Sequence, residues 1–151
     1  MAHRSALAAA TVAAVLTLGA VAAQAQWVMV ARAVAGRVEQ MSNRGRDGNG
    51  YDVATVVLEA AADKVYQTAL ANLKNHPDVK ITKQDPKAHV IEFGNGQNVA
   101  GLKATPLSDK ITQLMIASTV SGNQPGSSSM VADAVLRVCK EMNVECTLAA
   151  Q

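Results

Sequence analysis

From Val79 to Val120 the chain alternates short apolar runs with turn residues, a pattern that restricts this part of it to a β meander. The turns fall at 85–87, at 94–96 and at 105–109. The second turn contains Asn95-Gly96, and an Asn-Gly step between apolar runs is a strong hairpin signal, because both residues accept a positive φ. The predicted strands are Val79–Lys83, His89–Phe93, Gln97–Thr105 and Lys110–Val120.

Helical periodicity flanks the meander on both sides. From Ala60 to Asn75 apolar residues recur at the i, i+3, i+4, i+7 spacing, and Pro77 ends the pattern because proline cannot continue a helix. A second helix is predicted to begin at 127–129, where three serines offer an N-cap. It is predicted to end near Asn143, a residue type suited to a C-terminal cap.

Two segments precede the first helix. Asp52–Glu59 is rich in β-branched residues, which predicts a strand. Residues 26–42 fit two structures, because Val28, Val30 and Val34 alternate as in a strand, whereas Val34, Val38 and Met41 suit a helix. We favour an extended edge segment, and a helix is the alternative.

The order strand, helix, meander, helix predicts an α+β fold. An antiparallel sheet of four to five strands with two helices packed on one face, a two-layer sandwich, buries all the apolar stripes at once. We assign residues 1–25 to a signal peptide and 26–50 to an N-terminal segment with a Gly/Arg-rich loop. Residues 51–151 form the predicted α+β domain, and no internal repeat or second domain is found.

The first twenty-five residues have the pattern of a secretory signal peptide. Basic His3 and Arg4 precede an apolar stretch, and Ala23-Gln24-Ala25 ends it with the small-x-small pattern of a cleavage site. Cleavage between Ala25 and Gln26 predicts a bacterial periplasmic or secreted protein. The alternative is an uncleaved membrane anchor, since the uncharged stretch is long enough to span a bilayer.

Cys139 and Cys146 are the two cysteines of the chain, seven residues apart. If the chain turns back after Asn143, their sulfur atoms can meet, and an oxidising compartment favours a disulfide. A redox pair is the alternative, but such pairs usually have two intervening residues. We therefore predict a structural disulfide that stabilises the C-terminus.

The formal net charge is only +2, which argues against nucleic acid as a partner because phosphate binding needs clustered cations. High hydrophobic content with low charge also argues against disorder. Arg44 and Arg46 flank a glycine in the N-terminal loop, where they could contact an anion or a phospholipid headgroup. The simpler interpretation is a solvated linker.

No catalytic or cofactor-binding motif is found in the chain. His76 and His89 are predicted to be exposed turn and strand-end residues, and two histidines are too few for a metal site. Glu59, Asp63, Glu92 and Asp109 are scattered carboxylates with no spacing that pairs them. We expect no cofactor, no metal and no enzymatic activity.

Several segments between Tyr51 and Cys139 carry a family resemblance. They include Ala62–Tyr66 at the start of the first helix, Val90–Phe93 before the Asn-Gly turn, and Ile111–Ile116 in the last strand. This layout resembles a family of small exported bacterial envelope proteins of unknown function, many of them lipoproteins. The resemblance implies a fold and an exported location, and it implies no residue roles. No cysteine follows the apolar segment, so the lipidation site of the lipoprotein members is missing.

Together these features predict an exported, non-enzymatic domain that binds a protein partner or a second copy of itself. The first alternative is a carrier of a small apolar ligand, because core-facing Ala and Val residues leave room between sheet and helices. An exported enzyme is the second alternative. It would require His76 or His89 to meet a carboxylate in a cleft, and both imidazoles isolated in solvent would remove it. A membrane is a partner only if the signal segment is not cleaved.

Overall fold

A computed structural model of the chain describes residues 34–44, 50–96, 98–120 and 127–149. The predicted signal peptide and its cleavage site at Ala25 and Gln26 lie outside these residues. The seven strands are β1 (Arg37–Arg44), β2 (Gly50–Leu58), β3 (Lys80–Asp85), β4 (Val90–Gly94), β5 (Val99–Ser108), β6 (Ile111–Val120) and β7 (Thr147–Leu148). The helices are α1 (Ala62–Lys74) and α2 (Ser127–Glu141).

All seven strands join one sheet in the order β3-β4-β5-β6-β2-β1-β7. The pairs are antiparallel except that of β1 with β7, which is parallel. The predicted α+β class is confirmed, but the prediction of four to five strands was too low. The additional strands lie at one side of the sheet, where β1 continues it beyond β2 and the two-residue β7 forms its edge.

β1 agrees with the extended structure that we favoured for the segment before the Gly/Arg-rich loop, over the part that the structure describes. It pairs with β2 from Glu39 to Arg44, and Val38 is buried in the core. β1 belongs to the residues 26–50 that we placed before the α+β domain, so the sheet of this domain begins at Arg37.

One face of the sheet carries the core, and both helices pack on it. Alternate residues of β2, β5 and β6 are buried there because side chains along a strand point to opposite faces. α2 contacts β1, β2 and β6, while α1 contacts β3, β5 and β6, and the helices contact each other. This is the predicted two-layer sandwich. The largest fully buried side chains include Tyr66, Leu58, Ile91, Ile111 and Leu114.

β5 extends further than its composition indicated. The predicted strand ended at Thr105 because a proline follows, yet β5 continues to Ser108. Pro106 is tolerated because β4 pairs with β5 only as far as Lys103, so the missing N–H faces no neighbouring strand. The ladder with β6 is also irregular just after this proline.

The C-terminal end of α2 has the predicted cap. Asn143 adopts φ of 56°, Val144 N donates to Cys139 O at 2.9 Å, and Asn143 N donates to Lys140 O at 3.0 Å. This is a Schellman motif, which reverses the chain after the helix. Cys139 and Cys146 then form a disulfide with their Cα atoms 6.1 Å apart, and β7 follows beside β1.

Candidate functional site

A cavity of about 370 Å³ lies between the helical layer and the core face of the sheet. α1 and α2 form one wall, and β4, β5 and β6 form the other. Its volume falls in the lower part of the range of small-molecule sites, about 300–1,000 Å³. The cavity thus occupies the place where the sequence suggested room for an apolar ligand.

Small residues at core-facing positions explain why this space is unfilled. Ala69 of α1, Ala100 of β5 and Ala134 of α2 all line the cavity. A methyl group from each of three elements leaves a gap that larger aliphatic side chains would close. Leu102 and Ile116 form an apolar floor from the sheet, so the interior suits hydrocarbon.

A second cavity of about 540 Å³ adjoins the first, between the C-terminal parts of the two helices. Asn72, His76 and Arg137 line both spaces and therefore form their common wall. The second cavity, here called the polar groove, is also lined by Lys140 and Glu141. The apolar cavity is thus bordered on this side by amide, imidazole and charged groups.

His76 is the residue of this wall that has a buried polar atom without a hydrogen bond. Its Nδ1 atom is buried and has no hydrogen-bond partner among the described residues. A buried polar atom without a partner costs about 1–3 kcal/mol. His76 is also half-buried rather than exposed, which corrects our prediction for this residue.

His89 is likewise not the exposed strand residue that we predicted. It lies in the turn before β4 with φ of 53°, and its side chain is only 16% exposed. Its Nε2 lies 2.9 Å from Asp63 Oδ1, and its ring packs edge-on against Tyr66 with the ring centroids 5.8 Å apart. The pair attaches the start of α1 to the β3–β4 turn.

Neither imidazole is therefore isolated in solvent. Isolation of both was the observation that would have removed the enzyme alternative, so this alternative stays open. His89 meets a carboxylate but does not line either cavity described above, whereas His76 lines both, and Asp78 and Asp133 line the apolar cavity. Within the described ranges no group of three or more His, Cys, Asp or Glu side chains could hold a metal ion.

The other predicted sites are the two arginines of the Gly/Arg-rich loop and the disulfide, and only some of these residues are described by the structure. Arg44 is the last residue of β1 and pairs with Gly50, while Arg46 lies outside the described residues, so the proposed anion contact remains a prediction. The disulfide between Cys139 and Cys146 is formed. No helix in the described part is long and apolar enough to cross a membrane.

Sequence reasoning missed the residues of the common wall. Asn72 and His76 lie at the end of α1, and Arg137 lies sixty-one positions after His76 on α2. Arg137 is a single basic residue on an otherwise ordinary amphipathic helix, so nothing local marks it. A usable signal was the alanine at a core-facing position of each helix, which indicates unfilled space between the layers.

No model of a known protein family matches this chain, and no curated protein matches it. Its fold is similar to that of EF2215, a conserved protein of unknown function from Enterococcus faecalis, with a TM-score of 0.50 and 8% identity over 68% of this chain and 74% of that one. It is also similar to CalU16 from Micromonospora echinospora, with a TM-score of 0.50 and 10% identity over 72% of this chain and 84% of that one. At these identities the likeness shows the fold alone.

Proposed function

We propose that this protein binds a small, largely apolar molecule in the cavity between its sheet and its two helices. The observation that carries the proposal is the cavity of about 370 Å³ itself, with an apolar floor and alanines on three sides. An unfilled apolar space of this size is unfavourable in a folded protein unless something occupies it, because its lining loses dispersion contacts. Binding without catalysis is the activity that we propose for this site.

The substitution Ala134→Leu tests the proposal by filling the cavity from α2. Ala134 is half-buried and lines the cavity, and leucine is a good helix former. N-phenyl-1-naphthylamine, an uncharged apolar fluorophore, is expected to become brighter when it binds the wild-type protein. It should bind the variant at least about tenfold less tightly, since the added side chain competes for the same space. Fluorescence titration gives both dissociation constants.

Ala117→Leu is the matched control. Ala117 lies on the opposite face of β6, across from Gly101, where an added Cβ would meet no atom within 4 Å. This variant should bind the fluorophore like the wild type. Equal binding by all three proteins, or no binding by any, would contradict the proposal. Native mass spectrometry of protein purified from its own host would reveal a natural ligand as added mass.

We also propose that the chain is exported to the periplasm or secreted. The support is the signal-peptide pattern of residues 1–25 together with the disulfide of Cys139 and Cys146. N-terminal sequencing of the protein recovered from its host should begin at Gln26. A chain that retains its first residues in the membrane fraction would instead support an uncleaved anchor.

Self-association is the second candidate function. It would use the face of the sheet opposite α1 and α2, here called the helix-free face because neither of these two helices covers it. This face exposes Met41, with 67% of its surface accessible, and Met115. Glu39, Met115 and Lys103 lie in one row across it. The row continues through Val90 to Asp85, so its charges do not favour self-association, and the support is the exposed apolar surface of Met41 and Met115.

Light scattering tests self-association directly. The wild type is expected to form a dimer that Met115→Lys dissociates, because a cation would then lie in the middle of the packed row. The matched control is Gln67→Lys, the same added charge at an exposed position of α1 on the other side of the sheet. A wild-type monomer at all concentrations would remove this candidate.

A further inference from the structure

We infer that the ligand is an amphiphile with one anionic group, a carboxylate or a phosphate, held at Arg137 where the apolar cavity meets the polar groove. This inference rests on the proposed function and adds the chemical class of the ligand. The cavity would hold the hydrocarbon body, and the common wall of Asn72, His76 and Arg137 would receive the anion.

Arg137 is the charged residue that the two spaces share. Its side chain is exposed and makes no ion pair with any other described residue. Asp133, one turn earlier on α2, is also without an ion pair among the described residues. A free guanidinium offers a fork of N–H donors that matches a carboxylate or a phosphate.

The two neighbours of Arg137 in the common wall can donate as well. Asn72 carries an amide NH₂, and the imidazole of His76 has one N–H in its neutral form. His76 Nδ1 is buried without a partner, so a proton on Nδ1 would be an unsatisfied donor. Since Nδ1 has no partner in either tautomer, the tautomer with the proton on Nε2 is the one in which the ring could donate to a ligand.

Three carboxylates also line the two spaces. Asp78 and Asp133 line the apolar cavity but not the polar groove, and Glu141 lines the groove but not the cavity. Lys140 adds a second cation in the groove. Arg137 is the charged residue among those that both spaces share, so an anion held by the shared residues would lie close to its guanidinium. A cationic ligand would instead have to approach Asp78 or Asp133.

Displacement of N-phenyl-1-naphthylamine by four ten-carbon compounds tests the inference on the full chain. The compounds are decanoate, decyl phosphate, decanol and decylamine, below their micelle concentrations. At least one anion should bind about fivefold more tightly than decanol, as expected for a solvent-accessible charge pair with good geometry. Comparison of decanoate with decyl phosphate tells the two kinds of anion apart.

Arg137→Gln should abolish the preference for the anion over decanol, while Arg137→Lys should retain part of it. Arg37→Gln is the matched control, because Arg37 is exposed on β1 and lines neither space. Equal binding of decanol and both anions, or a preference for decylamine, would overturn the inference while leaving the proposed function intact. Failure of all four compounds to displace the fluorophore would remove both.

Discussion

Gly36 and Thr112 show how single hydrogen bonds stabilise this fold. Gly36 precedes β1 with φ of 76°, and its carbonyl accepts the N–H of Thr147 at 2.9 Å. Thr112 is fully buried at the start of β6, and its Oγ1 donates to Ala60 O at 2.7 Å, which connects β6 to the turn before α1. Both contacts join segments far apart in the chain, so their loss should reduce stability.

Gly36→Ala should lower the free energy of unfolding by about 2 kcal/mol. The positive φ disfavours a side chain, and a Cβ at this position would come within 2.5 Å of Glu145 O, a backbone atom that cannot move easily. Urea denaturation measures the change. Gly101→Ala is the control, since its Cβ would meet nothing within 4 Å, and an equal loss in both variants would contradict the explanation.

Thr112→Val should cost about 1–2 kcal/mol, because it leaves the Ala60 carbonyl without this donor while preserving side-chain shape. Thr55→Val is the comparison on the helix-free face of β2, where Thr55 is only half-buried. Urea denaturation of both variants should show the loss for Thr112 only. Equal stability of Thr112→Val and the wild type would show that the hydrogen bond contributes nothing net.

At the scale of elements, the position of the C-terminal strand β7 depends on the disulfide that precedes it. β7 has two residues and pairs only with β1. The N–H groups of Thr147 and Ala149 donate to Gly36 O and Val38 O at 2.9 and 2.8 Å. So short a strand does not hold itself in place, and the disulfide of Cys139 and Cys146 fixes the chain just before it.

Removal of the disulfide by Cys139→Ala with Cys146→Ala should lower the free energy of unfolding by about 2.5 kcal/mol, the chain-entropy value for so short a loop. Amide hydrogen exchange should accelerate first at Thr147 and Ala149, because their hydrogen bonds to Gly36 O and Val38 O hold the short segment that the disulfide fixes. The amide of Glu92, in the distant β4, serves as the internal reference. Unchanged protection at Thr147 would contradict this role.

The elements that could be predicted from sequence are those with a local signal. The Asn95-Gly96 turn, the helix ended near Pro77 and the Asn143 cap all depend on residues with restricted or permissive backbones, so the structure matches them closely. β7 is too short to have a period, and the valines before the Gly/Arg-rich loop fit helix and strand alike.

From the sequence, only the existence of unfilled space between the sheet and the helices could be predicted, and not the residues that line the candidate site. Ala69 and Ala134 show a small residue on each helix, but only the packed fold shows that they face a common void. Arg137 and His76 line the same two cavities because of the tertiary structure, and no spacing along the chain encodes this. Similarly, His89 and Asp63 are 26 residues apart and meet because the β3–β4 turn packs on the start of α1.

At the scale of the whole molecule, the two faces of the sheet differ in what covers them. The helices cover one face but leave a cavity where their small residues meet the sheet, and this cavity shares Asn72, His76 and Arg137 with the polar groove. The other face is covered by neither of the described helices and exposes Met41 and Met115. This asymmetry leads to the ligand proposal for the covered face and to the self-association proposal for the other.

The location of a bound ligand tests the central proposal most directly, and alanine methyl groups report it. With ¹³C-labelled alanine, intermolecular NOEs should connect bound decanol to the methyl groups of Ala69, Ala100 and Ala134, which line the cavity. Ala117, on the opposite face, should show none. NOEs to Ala117 alone, or none from the three cavity methyl groups at saturating decanol, would contradict a ligand site between the sheet and the helices.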